Sequence, residues 1–269
     1  MIYYDKIETW ERSFGDIVNI LVGKEVVDSL AALNFEYIED AGDYVASRSD
    51  IKTVSTKIQD WLQPREFCVF HGTRLLPEEI LSVQKKGLHP LVAEEREHRL
   101  RKILERHPKW SSVKDNIGKV LHDVGPKEKQ GRREGEVHFS LSKSGLVNGF
   151  NHYLTYGSEF DQHVVQRLFD DESGLQLLHS ETVPILVHVR INGKELIQGA
   201  HPIFTYSDVI SRGEIPGLAR TFLDAWAFKA TEPSFDVATL QTDCCMMQQV
   251  ATPPERILNI EKLSESAAN

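Results

Sequence analysis

The sequence predicts an α+β fold, with helices and strands in irregular order rather than in regular βαβ alternation. Three observations lead there. Residues 1–63 place apolar side chains at helical spacing almost throughout. Short apolar runs of strand character follow, separated by helical stretches of unequal length. No internal repeat or low-complexity tract imposes a regular architecture.

The N-terminal helices are read from "FGDIVNILVG", "KEVVDSLAALNFEYI" and "SDIKTVSTKIQDWLQ", the last with Ser49-Asp50 as its N-cap. Pro64 closes this section, so a small helical unit over 1–63 is expected, distinct from a main domain over 64–269. "REFCVF" predicts a short strand, Phe67 to Phe70, that stops at His71-Gly72-Thr73. The next helix starts at Pro77. Glu78 and Glu79 sit at its positive end and Lys85 and Lys86 at its negative end, and Gly87 takes the left-handed cap.

Residues 93 to 134 hold 12 Lys/Arg against 8 Asp/Glu, a locally positive stretch in a chain of net charge -9. Its mixed sign favours a solvated helical insertion, broken at Pro108 and ending in the loop "GPKEKQGRREG". The competing expectation is a substrate-facing lid that touches phosphates through Arg132 and Arg133. "GEVHFSLS" predicts a strand over Val137–Leu141. "GLVNGFNHYLTYGSEFDQHVVQRLFDD" predicts a long helical region, with Gly157 tolerated inside it or marking a break. "TVPILVHVRING" reads as a strand ending in an Asn192-Gly193 turn, with "KELIQG" returning antiparallel to it. "IPGLARTFLDAWAFKA" is a helix, and "CCMMQQVATPPERILNIEKL" gives two short strands flanking Pro253-Pro254.

The totals bound the function classes. The acidic balance argues against wholesale coating of nucleic acid or anionic membrane. Of three cysteines, Cys68, Cys244 and Cys245, two are adjacent, and adjacent cysteines do not normally bridge; a reducing, cytoplasmic compartment is expected. No CxxC or HExxH spacing suggests a metal site. The N-terminus lacks the apolar core of a signal peptide, and no run approaches the roughly 20 apolar residues of a membrane span.

A strand ending in HGTR, a helix ending in Gly87-Leu88, a strand of pattern G-x-x-x-F-S, a tyrosine-bearing helix and a final Pro-Pro-x-x-Ile occur in that order. This order resembles the ADP-ribosyltransferase superfamily of the diphtheria-toxin and poly(ADP-ribose) polymerase type. "FHGTRLLPEEILSVQKKGLHP" carries most of the likeness. In "EVHFSLSKS" Phe139 matches, whereas His138 stands where the family has tyrosine. The likeness runs from Pro64 to the C-terminus, with 93–134 as an insertion and the N-terminal helices outside it.

The resemblance implies a split antiparallel β-sheet core with flanking helices, and NAD as the substrate, without metal. It implies that His71, Gly72, Thr73, Arg74, His138, Phe139, Ser140, Tyr153 and Tyr156 bind NAD. Glycine lets a carboxamide approach the backbone, His71 and Thr73 bond ribose hydroxyls, and aromatic rings stack on nicotinamide. Cleavage of the nicotinamide–ribose bond builds positive charge on the ribose, as in glycoside hydrolysis. The family meets that charge with a glutamate at the start of its last core strand. Here that position is Gln248, which carries no charge. Four readings stay open. The register is displaced, with Glu159 as the carboxylate; glutamine suffices and the acceptor supplies the charge; NAD is bound without turnover; or Gln248 replaces a native glutamate.

The function implied is an ADP-ribosyltransferase (a glycosyltransferase) that cleaves NAD and moves ADP-ribose to a protein or nucleic-acid acceptor. The expected setting is a cytoplasmic toxin or antiphage-defence effector, with the N-terminal helices as the contact for an antitoxin or regulatory partner. The alternatives are a catalytically impaired NAD- or ADP-ribose-binding module, an NAD glycohydrolase, and the RNA 2′-phosphotransferase branch of the same fold.

Overall fold

The structure, a computed structural model, describes residues 1–124, 135–149, 151–169, 171–241 and 244–265. Strand β1 (Ile2–Tyr3) precedes four helices, α1 (Glu11–Val22), α2 (Lys24–Leu30), α3 (Ile38–Ala46) and α4 (Ile51–Leu62). Strand β2 (Glu66–Leu75) is followed by α5 (Pro77–Lys86), α6 (Ala93–Leu104), α7 (Trp110–Val113) and α8 (Ile117–Val124). Strand β3 (Val137–Ser140) leads to α9 (His152–Tyr156), α10 (Glu159–Leu168) and α11 (Ser173–Glu181). Strand β4 (Val183–Asn192) leads to α12 (Gly193–Ala200), α13 (Tyr206–Ser211) and α14 (Gly217–Thr231), and β5 (Cys245–Gln248) and β6 (Ile257–Lys262) end the chain.

The class is α+β. The strands form one sheet in the order β5-β3-β2-β4-β6, with β1 also on β2. β1 runs parallel to β2, Ile2 opposite Phe67, and β4 runs antiparallel to β6, Val187 opposite Ile260. β2 is buried from Phe67 to Phe70 and again from Gly72 to Leu75, which explains its continuous apolar run without alternation. The strand does not stop at His71 as the sequence suggested. It continues to Leu75, and Leu76-Pro77 turns the chain into α5. Glu79 then accepts the Leu76 N–H at 2.7 Å, meeting one unsatisfied donor of that helix start.

Two compact units divide the chain. One comprises Met1–Val69, Ser140–Gly149 and Arg190–Met246; the other comprises Phe70–Phe139, Phe150–Val189 and Met247–Asn269. The division therefore does not follow a boundary at residue 63: the N-terminal helices share a unit with α14. Their common core is aromatic. Phe222 of α14 meets Trp10 at 5.0 Å, Tyr4 at 5.4 Å and Trp61 at 5.4 Å between ring centroids. "KELIQG" is not a returning strand but α12. Asn192 caps it by accepting the Glu195 N–H at 3.0 Å, while the Glu195 carboxylate reaches back to the Asn192 N–H.

In the same unit Asp224 is buried in α14. Arg220 Nε donates to its Oδ2 at 2.9 Å; Oδ1 lies 2.8 Å from that nitrogen without hydrogen-bond geometry and has no other partner. Burial pushes its carboxyl up to about 6, against the pull of Arg220. The folded state thus holds the proton more tightly than the unfolded chain, where a carboxyl titrates near about 3.9. This contribution is full below that value and is lost as pH rises through about 6. Asp224→Asn is expected to unfold at a higher temperature than wild type, with the gap widening from pH 5 to pH 7.5. Thermal unfolding of both chains across that range checks it.

The other unit is built on a second core. Leu100, Ile103 and Leu104 of α6 and Ile117, Leu121 and Val124 of α8 are buried with Phe160, Val164 and Val165 of α10 and Leu178 of α11. The charged stretch is therefore not a solvated insertion as far as residue 124. One helical face is apolar, and six such residues lie inside. Gly87 ends α5 at φ 87°, and a Cβ there would sit 2.0 Å from the Thr252 carbonyl oxygen. The close approach seats the Leu88–Thr252 bridge, with N–H···O bonds of 2.9 and 2.8 Å. Among the described residues no helix is long and apolar enough to cross a membrane.

Candidate active site

His71 is half-buried in β2. Its Nδ1 lies 2.8 Å from the carbonyl oxygen of His138 on the neighbouring β3. A carbonyl only accepts, so Nδ1 carries the proton and donates it. Burial lowers the His71 pKa; the bond to His138 opposes this and the nearby His138 side chain adds to it. The ring is thus neutral at pH 7, with its lone pair at Nε2. That is a fixed hydrogen-bond acceptor, the chemistry needed to receive a hydroxyl proton. Phe139, buried, meets the His71 ring edge-on at 6.0 Å.

His138 itself is half-buried, with Nε2 3.0 Å from Glu136 Oε2. Gln248 is the last residue of β5 rather than the first of a final strand. It is buried, and its Oε1 accepts from Thr252 Oγ1 at 3.2 Å. His71, the pair His138–Phe139 and Gln248 therefore occupy three consecutive strands, β2, β3 and β5.

Tyr153 and Glu159 form a second group. The Tyr153 hydroxyl donates to Glu159 Oε1 at 3.2 Å, and His152 Nε2 lies 3.1 Å from the same oxygen. Glu159 is the first residue of α10, where the helix dipole favours a carboxylate. Gly157, at φ 83°, breaks the helical region between α9 and α10.

Arg74 is a different residue from the one expected. Its side chain is fully buried, and every guanidinium nitrogen is engaged. Nε donates to Thr182 Oγ1 at 3.1 Å, and Nη1 to the Leu154 carbonyl at 2.8 Å. Nη2 donates to the carbonyls of His179 and Thr182 at 2.6 and 2.7 Å, and Glu265 takes both terminal nitrogens at 2.8 and 3.1 Å. Such a group has no donor to spare for a pyrophosphate. Arg74 instead ties α9, the tyrosine-bearing helix, to the strand of His71.

Tyr156 is half-buried and packs against the α6–α8–α10 core. Ser140 is buried, and its hydroxyl closes its own turn: it donates to the Ser142 carbonyl at 2.9 Å and accepts the Ser142 N–H. Thr73 and Gly72 are buried within β2.

The sequence reading missed the network behind Arg74. Asp161 is wholly buried between Arg96 and Arg99, with Arg99 Nη1 at 2.7 Å and Arg96 Nε at 3.0 Å. Burial alone would raise the Asp161 pKa; the two guanidinium groups outweigh it and hold the carboxyl below its usual range. Arg99 also donates to the Arg74 carbonyl at 2.9 Å and to Glu79 at 3.1 Å. The only sequence signal was local: Ser158 three residues before Asp161 marks the start of α10, where its Oγ accepts the Asp161 N–H.

The remaining bases of this stretch are paired too. Arg101 meets Glu97, Lys102 meets Glu78, Arg106 meets Glu181 and Lys109 meets Asp171. From Arg96 to Lys109 every arginine and lysine has a carboxylate partner, so the charge of these six bases is already met within the protein. Arg132 and Arg133 lie outside the described residues. A serine–histidine contact in this unit is not a nucleophile. His107 Nδ1 accepts the Lys109 N–H at 3.1 Å, so Nε2 holds the proton and donates it to Ser173, which in turn bonds Asp171. Among the described residues no group of three or more His, Cys, Asp or Glu side chains could hold a metal ion.

Comparison with protein-family models, with curated proteins and with solved structures finds no match to this chain.

Proposed function

We propose that the chain is an ADP-ribosyltransferase that cleaves NAD, releases nicotinamide and passes ADP-ribose to a macromolecular acceptor. The observation that carries this reading is His71: a neutral imidazole locked by the His138 carbonyl, with its acceptor lone pair at Nε2, inside the HGTR strand. A ribose hydroxyl is a natural donor to that lone pair. Phe139 beside it offers an aromatic edge for the nicotinamide, and Gln248, at the end of β5 two strands away, offers an amide for the ribose 2′-hydroxyl. Tyr153 and Glu159 add a carboxylate with a phenol already bonded to it.

The reaction breaks the bond between the nicotinamide nitrogen and the ribose carbon, and the electron pair leaves with nicotinamide. The ribose cation is then met by an oxygen or nitrogen of the acceptor, which loses a proton. Gln248 can orient the 2′-hydroxyl but offers no charge to the cation. A second reading rests on that one residue: a module that holds NAD or ADP-ribose without turning it over.

Labelled NAD, mixed with cell lysate and either the native chain or Gln248→Glu, separates the readings. Gln248→Glu keeps the shape and the bond from Thr252 while adding the charge, and is expected to release nicotinamide about 100-fold faster. Label on protein or on nuclease-sensitive material identifies the acceptor class, and free ADP-ribose indicates hydrolysis. NAD binding by both chains without nicotinamide release favours the module. The absence of NAD binding by either would end the proposal.

A further inference from the structure

We infer that Thr252 is a positioning residue: it fixes which end of the Gln248 amide meets the ligand, and so makes Gln248 a donor to the ribose 2′-oxygen. The inference rests on the NAD reading and adds to it the direction of one hydrogen bond. An amide has two ends of opposite character, a carbonyl oxygen that accepts and an NH2 that donates. Gln248, the last residue of β5, is only 9% exposed. The Thr252 hydroxyl donates to its Oε1 at 3.2 Å. Among the described residues Nε2 has no partner, yet it is not sealed from solvent. The two N–H donors are thus the end of this side chain left for a ligand.

Thr252 has little freedom of its own. It is 1% exposed. Its N–H donates to the Leu88 carbonyl at 2.8 Å, and its carbonyl accepts the Leu88 N–H at 2.9 Å. Gly87 lets the end of α5 close on that carbonyl, where a Cβ would clash. Pro253 follows directly, and the residue before a proline is held to extended backbone. The side chain is β-branched and stiff at χ1. The hydroxyl therefore reaches Gln248 from a fixed support.

The consequence is a polarity in what the protein offers a ribose. His71 on β2 presents a lone pair at Nε2, whereas Gln248 on β5 presents N–H groups. One takes a hydroxyl proton and the other gives a proton to an oxygen. A 2′-hydroxyl that accepts from Gln248 keeps its own proton to donate elsewhere. Loss of the Thr252 hydroxyl leaves Oε1 unmet and frees the amide to turn, so this direction is no longer set.

Three variants of the full-length chain test this. Thr252→Val removes the hydroxyl and keeps the shape, Thr252→Ser keeps the hydroxyl, and Thr252→Ala serves if valine does not fold; circular dichroism reports the fold of each. Without ligand, carbon NMR follows the Gln248 side-chain carbonyl, assigned by its loss in Gln248→Glu. Its signal should move upfield in the two hydroxyl-free variants and stay in place in Thr252→Ser, because a carbonyl that loses its donor is less polarised. With ligand, titration calorimetry compares NAD with an analogue lacking the 2′-hydroxyl of the nicotinamide ribose. The native chain and Thr252→Ser should prefer NAD by about 10-fold, and the hydroxyl-free variants should bind the two alike. A general loss of packing would weaken both ligands together and leave the preference intact. An unmoved carbonyl signal, or a preference for NAD retained in Thr252→Val, would overturn the inference. Failure of the native chain to bind NAD, with the signal shifted as expected, would instead overturn the NAD reading and the donor role with it.

Discussion

Arg74→Ala is expected to destabilise the chain by about 3–5 kcal/mol, the scale seen when one partner of a buried charged network is removed. The change strips hydrogen bonds from the carbonyls of Leu154, His179 and Thr182 at once, and from Glu265. Lysine should rescue little, because one ammonium cannot reach acceptors arranged around a planar fork. Chemical denaturation of wild type, Arg74→Ala and Arg74→Lys measures the loss. A change below about 1 kcal/mol in Arg74→Ala would mean that the guanidinium is not the tie described. If Arg74 were a ligand contact instead, NAD affinity would fall while stability held.

His71→Ala is expected to weaken NAD binding by roughly 10- to 100-fold while leaving the fold intact, the cost of one buried hydrogen bond with its partner left unmet. The pH dependence sharpens the test. Burial favours the neutral ring, so affinity should stay level from pH 8 to pH 6.5 and decline only in more acid solution, as Nε2 gains a proton and becomes a donor. Titration calorimetry at pH 8, 6.5 and 5 follows it. Unaltered affinity in a folded His71→Ala chain would count against the assignment of this strand to NAD.

Much of the fold was legible because the deciding signals are local. Pro77, Glu78–Glu79 and Gly87 delimit α5 within one residue, since caps and dipoles act within a single turn. β3, β4 and the two strands around Pro253-Pro254 stood out by composition. "KELIQG" was misread because Asn192-Gly193 serves a hairpin and a helix cap equally well; Glu195 at the third helical position was the tie-breaker. The length of β2 was hidden because a buried arginine resembles a strand end until its partners are known. Those partners lie 80 to 191 residues away. At the site, His71 and Phe139 could be picked from sequence, whereas the tautomer of His71 depends on a carbonyl 67 residues away.

The pairing along α6 bears on what would happen to the chain without that helical stretch. Glu78, Glu79, Asp161, Asp171 and Glu181 all draw their cations from Arg96 to Lys109. Excision of the stretch would strip five carboxylates of these cations, one of them, Asp161, wholly buried. The segment that reads as the most dispensable in the sequence is therefore the counter-ion supply of its unit, and grafting or trimming there is an electrostatic operation before it is a steric one.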